Sequence, residues 1–257
     1  EKVKVLLQSL DISMLATGNY NLVIEVRNRK NETVARQSGF FQRYDPATQI
    51  ALEDVEALNI ENTFVEQFTN PDTLQEYIRT LSPISSELEK VFAENQLSKA
   101  NLTLMKQFIY SFWLTRAPED PGKAWEDYYL QVKRVNRSFH SPIKKGYETD
   151  RGRIFLKYGA PNNIYKSPHE PMAYPYEIWH YYKLTQTQSN KKFVFINYAF
   201  ATEDFELAHS NAIGEMNDPQ WHRRLHERSS ELDTNVDATE YDSHYGSKAL
   251  EQFNNPY

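Results

Sequence analysis

The chain has 257 residues, of which 40% are hydrophobic, 25% charged and 14% aromatic, and this composition is typical of about one or two folded domains. The net charge is −6 and the Lys and Arg residues are spread along the chain, so we expect no nucleic-acid partner. Cysteine is absent, which excludes disulfides, thiolate metal sites and cysteine nucleophiles. No apolar run is long enough to span a membrane, and residues 1–10 lack the pattern of a signal peptide.

The first part of the chain has the pattern of a β-hairpin. Apolar side chains occupy every second position in residues 20–26, and a polar turn at 28–32 leads to a second strand-like run at 33–41. Two or three strands make only part of a sandwich. We therefore predict a partial antiparallel β domain in residues 1–44, similar to immunoglobulin-like or fibronectin-like modules. An ordinary hairpin is the alternative.

The hydrophobic period then changes to that of helices, up to residue 140. The pattern predicts four of them, at residues 71–82, 85–94, 98–117 and 121–139. The fourth begins with Asp120 as a cap and Pro121 in its first turn, and its aromatic residues form a stripe. Such a stripe indicates a packed core, because aromatic rings bury large areas. We expect the four helices to form a layer on the sheet that follows.

Residues 146–161 carry a recognisable signature, which reads GYETDRGRIFLKYGAP. This segment resembles the motif of the GWxTD-domain family, in which Gly-Trp-x-Thr-Asp precedes Arg-Gly-Arg-Ile and a Tyr-Gly-Pro-Pro turn. Tyr147 replaces the motif Trp, and Ala160 replaces the first Pro of the turn; both changes conserve shape. The resemblance covers residues 70–207.

The resemblance implies a cellular setting and a set of site residues. The family is known mainly from bacterial envelope proteins, Bacteroidota among them, which are often exported or lipid-anchored and carry a β domain before this one. It implies a periplasmic or outer-membrane location in a Gram-negative bacterium and allows a lipid anchor upstream of residue 1. It implies no cofactor and no assigned activity. The candidate binding residues are Gly146, Tyr147, Thr149, Asp150, Arg151, Arg153, Tyr176 and Trp179.

The motif residues themselves predict a short helix at residues 151–158. Thr149 or Asp150 can cap its start, and Gly159 can end it. A strand is the alternative, because apolar residues also alternate in this stretch. The charges at the start of the helix either fix the loop by capping and arginine pairing, or bind an anion or a peptide carboxylate.

A small antiparallel sheet follows the motif. Residues 176–184 and 191–199 are rich in aromatic and β-branched side chains, and residues 204–208 offer a third strand. The order of elements resembles small lipoproteins beside the outer-membrane β-barrel assembly machine, which bind protein surfaces. This resemblance favours other envelope proteins as partners, such as an outer-membrane barrel or a lipoprotein complex.

Catalytic motifs are nearly absent. There is no phosphate loop, nucleophile elbow or zinc-protease motif. His222 and His226 lie four apart on a helix predicted at 219–232, which is more typical of a solvated face than of a metal site. Paired carboxylates acting on an envelope glycan or peptide are the alternative. Their candidate residues are Glu203, Asp204 and Glu206, with Trp179 and Tyr181 lining a sugar cleft.

The last 25 residues are poor in aliphatic side chains, which predicts an extended arm. Its aromatic residues predict a partner-binding segment: Tyr241, Tyr245, Phe253 and Tyr257. We thus predict an α+β protein with a partial β domain at 1–44, a GWxTD-like domain at 45–232 and an arm at 233–257. The predicted function is a non-catalytic interaction or scaffold subunit of a bacterial cell-envelope assembly, without catalytic residue, metal or cofactor, and an envelope hydrolase is the alternative.

Overall fold

The computed structural model describes residues 9–12, 15, 18–43, 55–97, 101–170, 173–199, 202–226 and 248–255. Over these residues the protein is α+β, as predicted, with two antiparallel sheets and several helices. Within the same residues, no helix combines the length and the apolar character that crossing a membrane requires.

The predicted hairpin is confirmed by strands β1 (Gly18–Arg27) and β2 (Thr33–Arg43), which pair in antiparallel register. Tyr20 lies opposite Phe41, and their rings stack with centroids 5.5 Å apart. Apolar side chains beyond this pair are open to solvent where the structure describes them, and Ile24 is 57% exposed. The assignment of residues 1–44 to a partial sandwich stays a prediction.

The four predicted helices are confirmed. They are α1 (Pro71–Thr80), α2 (Glu87–Gln96), α3 (Leu102–Arg116) and α4 (Pro121–Ser138). Asp120 caps α4, since its side chain accepts a hydrogen bond from the Lys123 backbone N–H. The third helix begins later than predicted because Asn101 is its cap.

Helices α1 to α4 have a core of their own. Trp125, from the aromatic stripe, is 5% exposed, and its ring lies 4.9 Å from that of Tyr77 and 5.0 Å from that of Tyr129, two rings that also contact each other. The layer does not lie directly on the sheet as expected, because the motif helix is interposed. Contact between the two parts includes Phe139, just beyond α4, whose ring is 5.4 Å from that of Trp179.

The motif segment forms a 3₁₀ helix (Gly146–Glu148) and helix α5 (Asp150–Tyr158), so the strand alternative is wrong. The second sheet has the order β3-β4-β5-β6, all antiparallel. Its strands are β3 (Asn163–Ser167), β4 (Tyr176–Lys183), β5 (Ser189–Ile196) and β6 (Glu206–Ser210). The sequence analysis missed β3, a short and mostly exposed edge strand.

The two faces of this sheet are covered by different elements. Helix α5 packs on the face that carries Trp179 and Phe193. The opposite face is covered by α6 (Trp221–His226) and α7 (Ala249–Asn254). Within the arm, residues 249–254 are helical instead of extended, because the sheet gives them an apolar surface on which to pack; residues 233–247 lie outside the described residues.

Candidate functional site

Two motif glycines let three chain segments cross at very short range. A Cβ added to Gly146 would lie 2.2 Å from the carbonyl oxygen of Val135 in α4. A Cβ added to Gly152 would lie 1.8 Å from the carbonyl oxygen of Gly146. Since no side chain fits at these distances, both glycines are needed for the 3₁₀ helix, α5 and the end of α4 to pack together.

Thr149 is the cap of α5. Its hydroxyl donates to the Gly146 carbonyl at 2.7 Å, while its oxygen accepts from the Gly152 N–H at 3.1 Å. Asp150, the other candidate cap, is the first helical residue instead. Its carboxylate accepts a hydrogen bond from the Leu207 backbone N–H at 2.8 Å, which ties α5 to strand β6.

Tyr147, at the position of the family Trp, is a core residue. It is 5% exposed and packs with Val132, Val135 and Leu156. Burial, followed by the negative charges of Glu76 and Glu148, raises the pKa of its hydroxyl above the ordinary value. The ring therefore contributes mainly packing area at this position.

Arg151 belongs to a buried polar network on the sheet. It is 4% exposed and donates to the Glu177 carboxylate at 3.2 Å and to the Glu203 carbonyl at 2.6 Å. The same carboxylate accepts from the indole N–H of Trp179 at 2.9 Å. Burial lowers the pKa of the Arg151 guanidinium, and its charge is balanced by Glu177.

Trp179 and Tyr176 lie on opposite faces of β4. Trp179 is fully buried beneath α5, as predicted for the sheet interior. Tyr176 is 1% exposed, and its hydroxyl donates to Glu170 at 2.6 Å. Burial, with the added effect of the Glu170 carboxylate, raises the pKa of the Tyr176 hydroxyl. The family motif therefore does not converge on one cleft.

Arg153 forms a second charged cluster, around Glu215. It donates to this carboxylate at 2.9 Å, and Lys157 and Tyr158 donate to it at 2.6 and 2.8 Å. Burial alone would raise the pKa of Glu215, but the charges of Arg153 and Lys157 outweigh it and lower the pKa. The sequence analysis missed Glu215, because it lies 62 residues beyond Arg153 and in no motif.

An open pocket of about 530 Å³ lies between the helical layer and the motif. We call it the motif pocket. Its apolar lining includes Ile78, Pro83, Leu97 and Phe108. Its charged lining residues are Arg79, Lys90, Glu94, Glu148 and Arg153. Of the predicted site residues, the motif pocket brings together Tyr147 and Arg153 only.

The comparison with protein families agrees with the motif. A model of the GWxTD domain matches residues 51–224. The chain belongs to the GWxTD-domain family. No curated protein and no solved structure matches it. The hairpin and α7 lie outside the matched residues of the GWxTD domain.

The aromatic residues proposed to line a sugar cleft are buried in the GWxTD domain. Trp179 and Tyr181 are buried at 0% and 1% exposure, so neither lines a cleft. Asp204 pairs with Lys144 at 2.8 Å, and the Glu203 side chain is 81% exposed. No group of three metal-binding side chains occurs among the described residues.

Two further predictions fall on the C-terminal part of the chain. The solvated face predicted for His222 and His226 is wrong for His226, which is 4% exposed. Its ring nitrogen lies 2.9 Å from the His222 carbonyl oxygen, one turn earlier in α6. Phe253 packs within the chain, against Trp221 at 5.6 Å. The other aromatic residues of the predicted arm, Tyr241, Tyr245 and Tyr257, lie outside the described residues.

Proposed function

We propose that this GWxTD domain is a non-catalytic interaction subunit and that the motif pocket binds a segment of a partner protein. The observation that carries the proposal is the division of the motif between internal contacts and one pocket wall. The motif glycines, Thr149 and Arg151 are used in packing and in buried hydrogen bonds. Glu148 and Arg153 instead line the motif pocket.

The composition of the motif pocket supports a protein ligand. A lining that combines apolar and charged side chains is typical of surfaces that recognise a partner segment, where apolar contact gives affinity and polar groups give orientation. Arg79 is exposed, and no carboxylate in the described part of the chain pairs with it. It is therefore available to an acidic group of the partner.

The cellular setting of the proposal comes from the family resemblance. We place the protein in the periplasm or at the outer membrane of a Gram-negative bacterium, as a scaffold subunit of an envelope assembly. Other envelope proteins, such as an outer-membrane barrel or a lipoprotein complex, are the proposed partners. An anchor upstream of residue 1 is part of the same proposal.

A site-specific cross-link in the producing bacterium tests this function. A photoreactive phenylalanine replaces Ser82, which is exposed and lines the motif pocket. The matched control places it at Arg134, which is exposed on α4 and outside the pocket. We expect one defined protein adduct from position 82 and none from position 134.

Charge reversal makes the test specific. Arg79→Glu is expected to reduce the adduct at least about tenfold, because the partner's acidic group then meets a like charge. The free energy of unfolding of this variant should change by no more than about 1 kcal/mol, which is the size of a helix-dipole effect at an exposed residue in the last turn of a helix. Equal adducts from both positions, or an unchanged yield in Arg79→Glu, would contradict the proposal. Release of products from peptidoglycan or peptide that is lost in Glu203→Gln would favour the hydrolase.

A further inference from the structure

Helix α7 is held at both ends by side chains of the sheet domain. At its start, the Lys248 backbone N–H donates to the Glu170 carboxylate at 3.1 Å. At its end, the Lys192 ammonium donates to the carbonyls of Phe253 and Asn254. An anion at the start and a cation at the end complement the helix dipole.

The middle of α7 fits an aromatic surface. Ala249 is 1% exposed. The Phe253 ring lies 5.6 Å from that of Trp221 and 5.1 Å from that of His209. The side chains that contact α7 form one binding surface, which we call the α7 groove. Its residues are Glu170, Lys192, His209 and Trp221.

Lys192 indicates that the α7 groove is built for a peptide. This lysine is 6% exposed, and among the described residues no carboxylate lies within ion-pair distance of its ammonium. Backbone carbonyls of α7 accept its hydrogen bonds instead. The ammonium also lies 5.3 Å from the centre of the Phe253 ring. Lys192 therefore recognises both the last carbonyls of a helix and an aromatic side chain near its end.

The occupant of the groove lies outside the residues that match the family domain. The match to the GWxTD domain ends at residue 224, whereas α7 begins at Ala249. A helix of six residues does not form alone in water, since helices shorter than about 12 residues are marginal. Its order therefore depends on the groove.

We propose that the α7 groove is a receptor site for a short helical peptide and that the chain's own residues 248–255 are its exchangeable occupant. Recognition uses a backbone N–H at one end, two carbonyls at the other, and small and aromatic side chains four residues apart. This site lies on the sheet face opposite α5 and is independent of the motif pocket.

The test uses the full chain with a specific protease site placed in residues 230–240. After cleavage, a fluorescent synthetic peptide of residues 246–257 is added, and its anisotropy reports binding. We expect the labelled peptide to replace the cleaved segment. Phe253→Ala in the peptide should weaken binding at least about tenfold, because the half-buried ring packs against Trp221 and His209. This variant leaves the folded domain unchanged.

Substitutions in the sheet domain test whether Lys192 binds the peptide. Lys192→Met is expected to weaken peptide binding about tenfold or more, whereas the matched control Lys183→Met, on an exposed residue of β4, leaves it within about twofold. Arg79→Glu in the motif pocket should have no effect on it. Three results would overturn the proposal: no exchange over a day, no binding at millimolar peptide, or unfolding of the domain on cleavage.

Discussion

Arg151 and Arg153 lie two residues apart in α5 but in opposite surroundings. Arg151 is buried against the sheet, where Glu177 and the Glu203 carbonyl accept its hydrogen bonds. The Arg153 side chain is 34% exposed and lines the motif pocket. Residues two apart point to opposite sides of a helix. One short motif therefore both joins the helical layer to the sheet and forms a wall of the motif pocket.

The largest loss of stability should come from the close contact between Gly146 and Gly152, which fixes the orientation of α5. Gly152→Ala places a Cβ 1.8 Å from the Gly146 carbonyl, a backbone atom that cannot move away alone. We expect a loss of more than about 4 kcal/mol in the free energy of unfolding, measured by urea titration. Gly39→Ala is the control, because nothing lies within 4 Å of its added Cβ. A loss below about 1 kcal/mol would mean that α5 can shift.

The buried ion pair of α5 is tested by replacing Arg151. Arg151→Met should destabilise the protein by about 3 to 5 kcal/mol, since it leaves the Glu177 carboxylate buried with only the exposed Lys166 as a cation. The double mutant with Glu177→Gln should recover part of this loss in the same unfolding assay. A coupling energy near zero would show that the two side chains act independently.

The surroundings of the half-exposed Arg153 are tested at Glu215, whose carboxylate accepts its hydrogen bond. Glu215→Gln should lower stability by about 1 to 3 kcal/mol at neutral pH, through the loss of charged hydrogen bonds. Because the folded state lowers the pKa of Glu215, its stabilisation is present above the ordinary value of 4.5 and is lost as the pH falls through the lower folded value. The difference between wild type and variant should therefore shrink in acid. A difference that does not change with pH would contradict the ion cluster.

The smallest effect is expected at the cap. Thr149→Val keeps the shape of the side chain and removes both hydrogen bonds of the hydroxyl. Its loss should be about 0.5 to 2 kcal/mol, measured as a shift in thermal unfolding. Thr103→Val, on an exposed residue of α3, is the matched control. Equal shifts in the unfolding temperature of the two variants would contradict the assignment of Thr149 as the cap.

Local signals predicted much of this architecture. Asp120 with Pro121 marks the start of α4, and Thr149 with Gly159 marks the ends of α5, because caps depend on residues close in sequence. Burial of Trp179 followed from its place in an aromatic strand.

Contacts between residues far apart in the chain could not be predicted from the sequence. Glu177 and Glu215 pair with arginines 26 and 62 residues away, and no local pattern marks such pairs. Strand β3 and helix α7 are short and depend on tertiary contacts for their order, so their own residues carry little signal. The motif pocket was missed for the same reason, because its walls come from separate helices.

The crossing of Gly146 and Gly152 also has a consequence for local opening. Helix α5 is joined to α4 by this crossing, to β6 through Asp150, and to β4 through the Tyr181 hydroxyl, which donates to the Gly159 carbonyl. Amide hydrogens in α5, β4 and β6 should then exchange with solvent as one cooperative unit. A ligand that protects the wall of the motif pocket from exchange would slow exchange in the strands behind it, although it touches none of them.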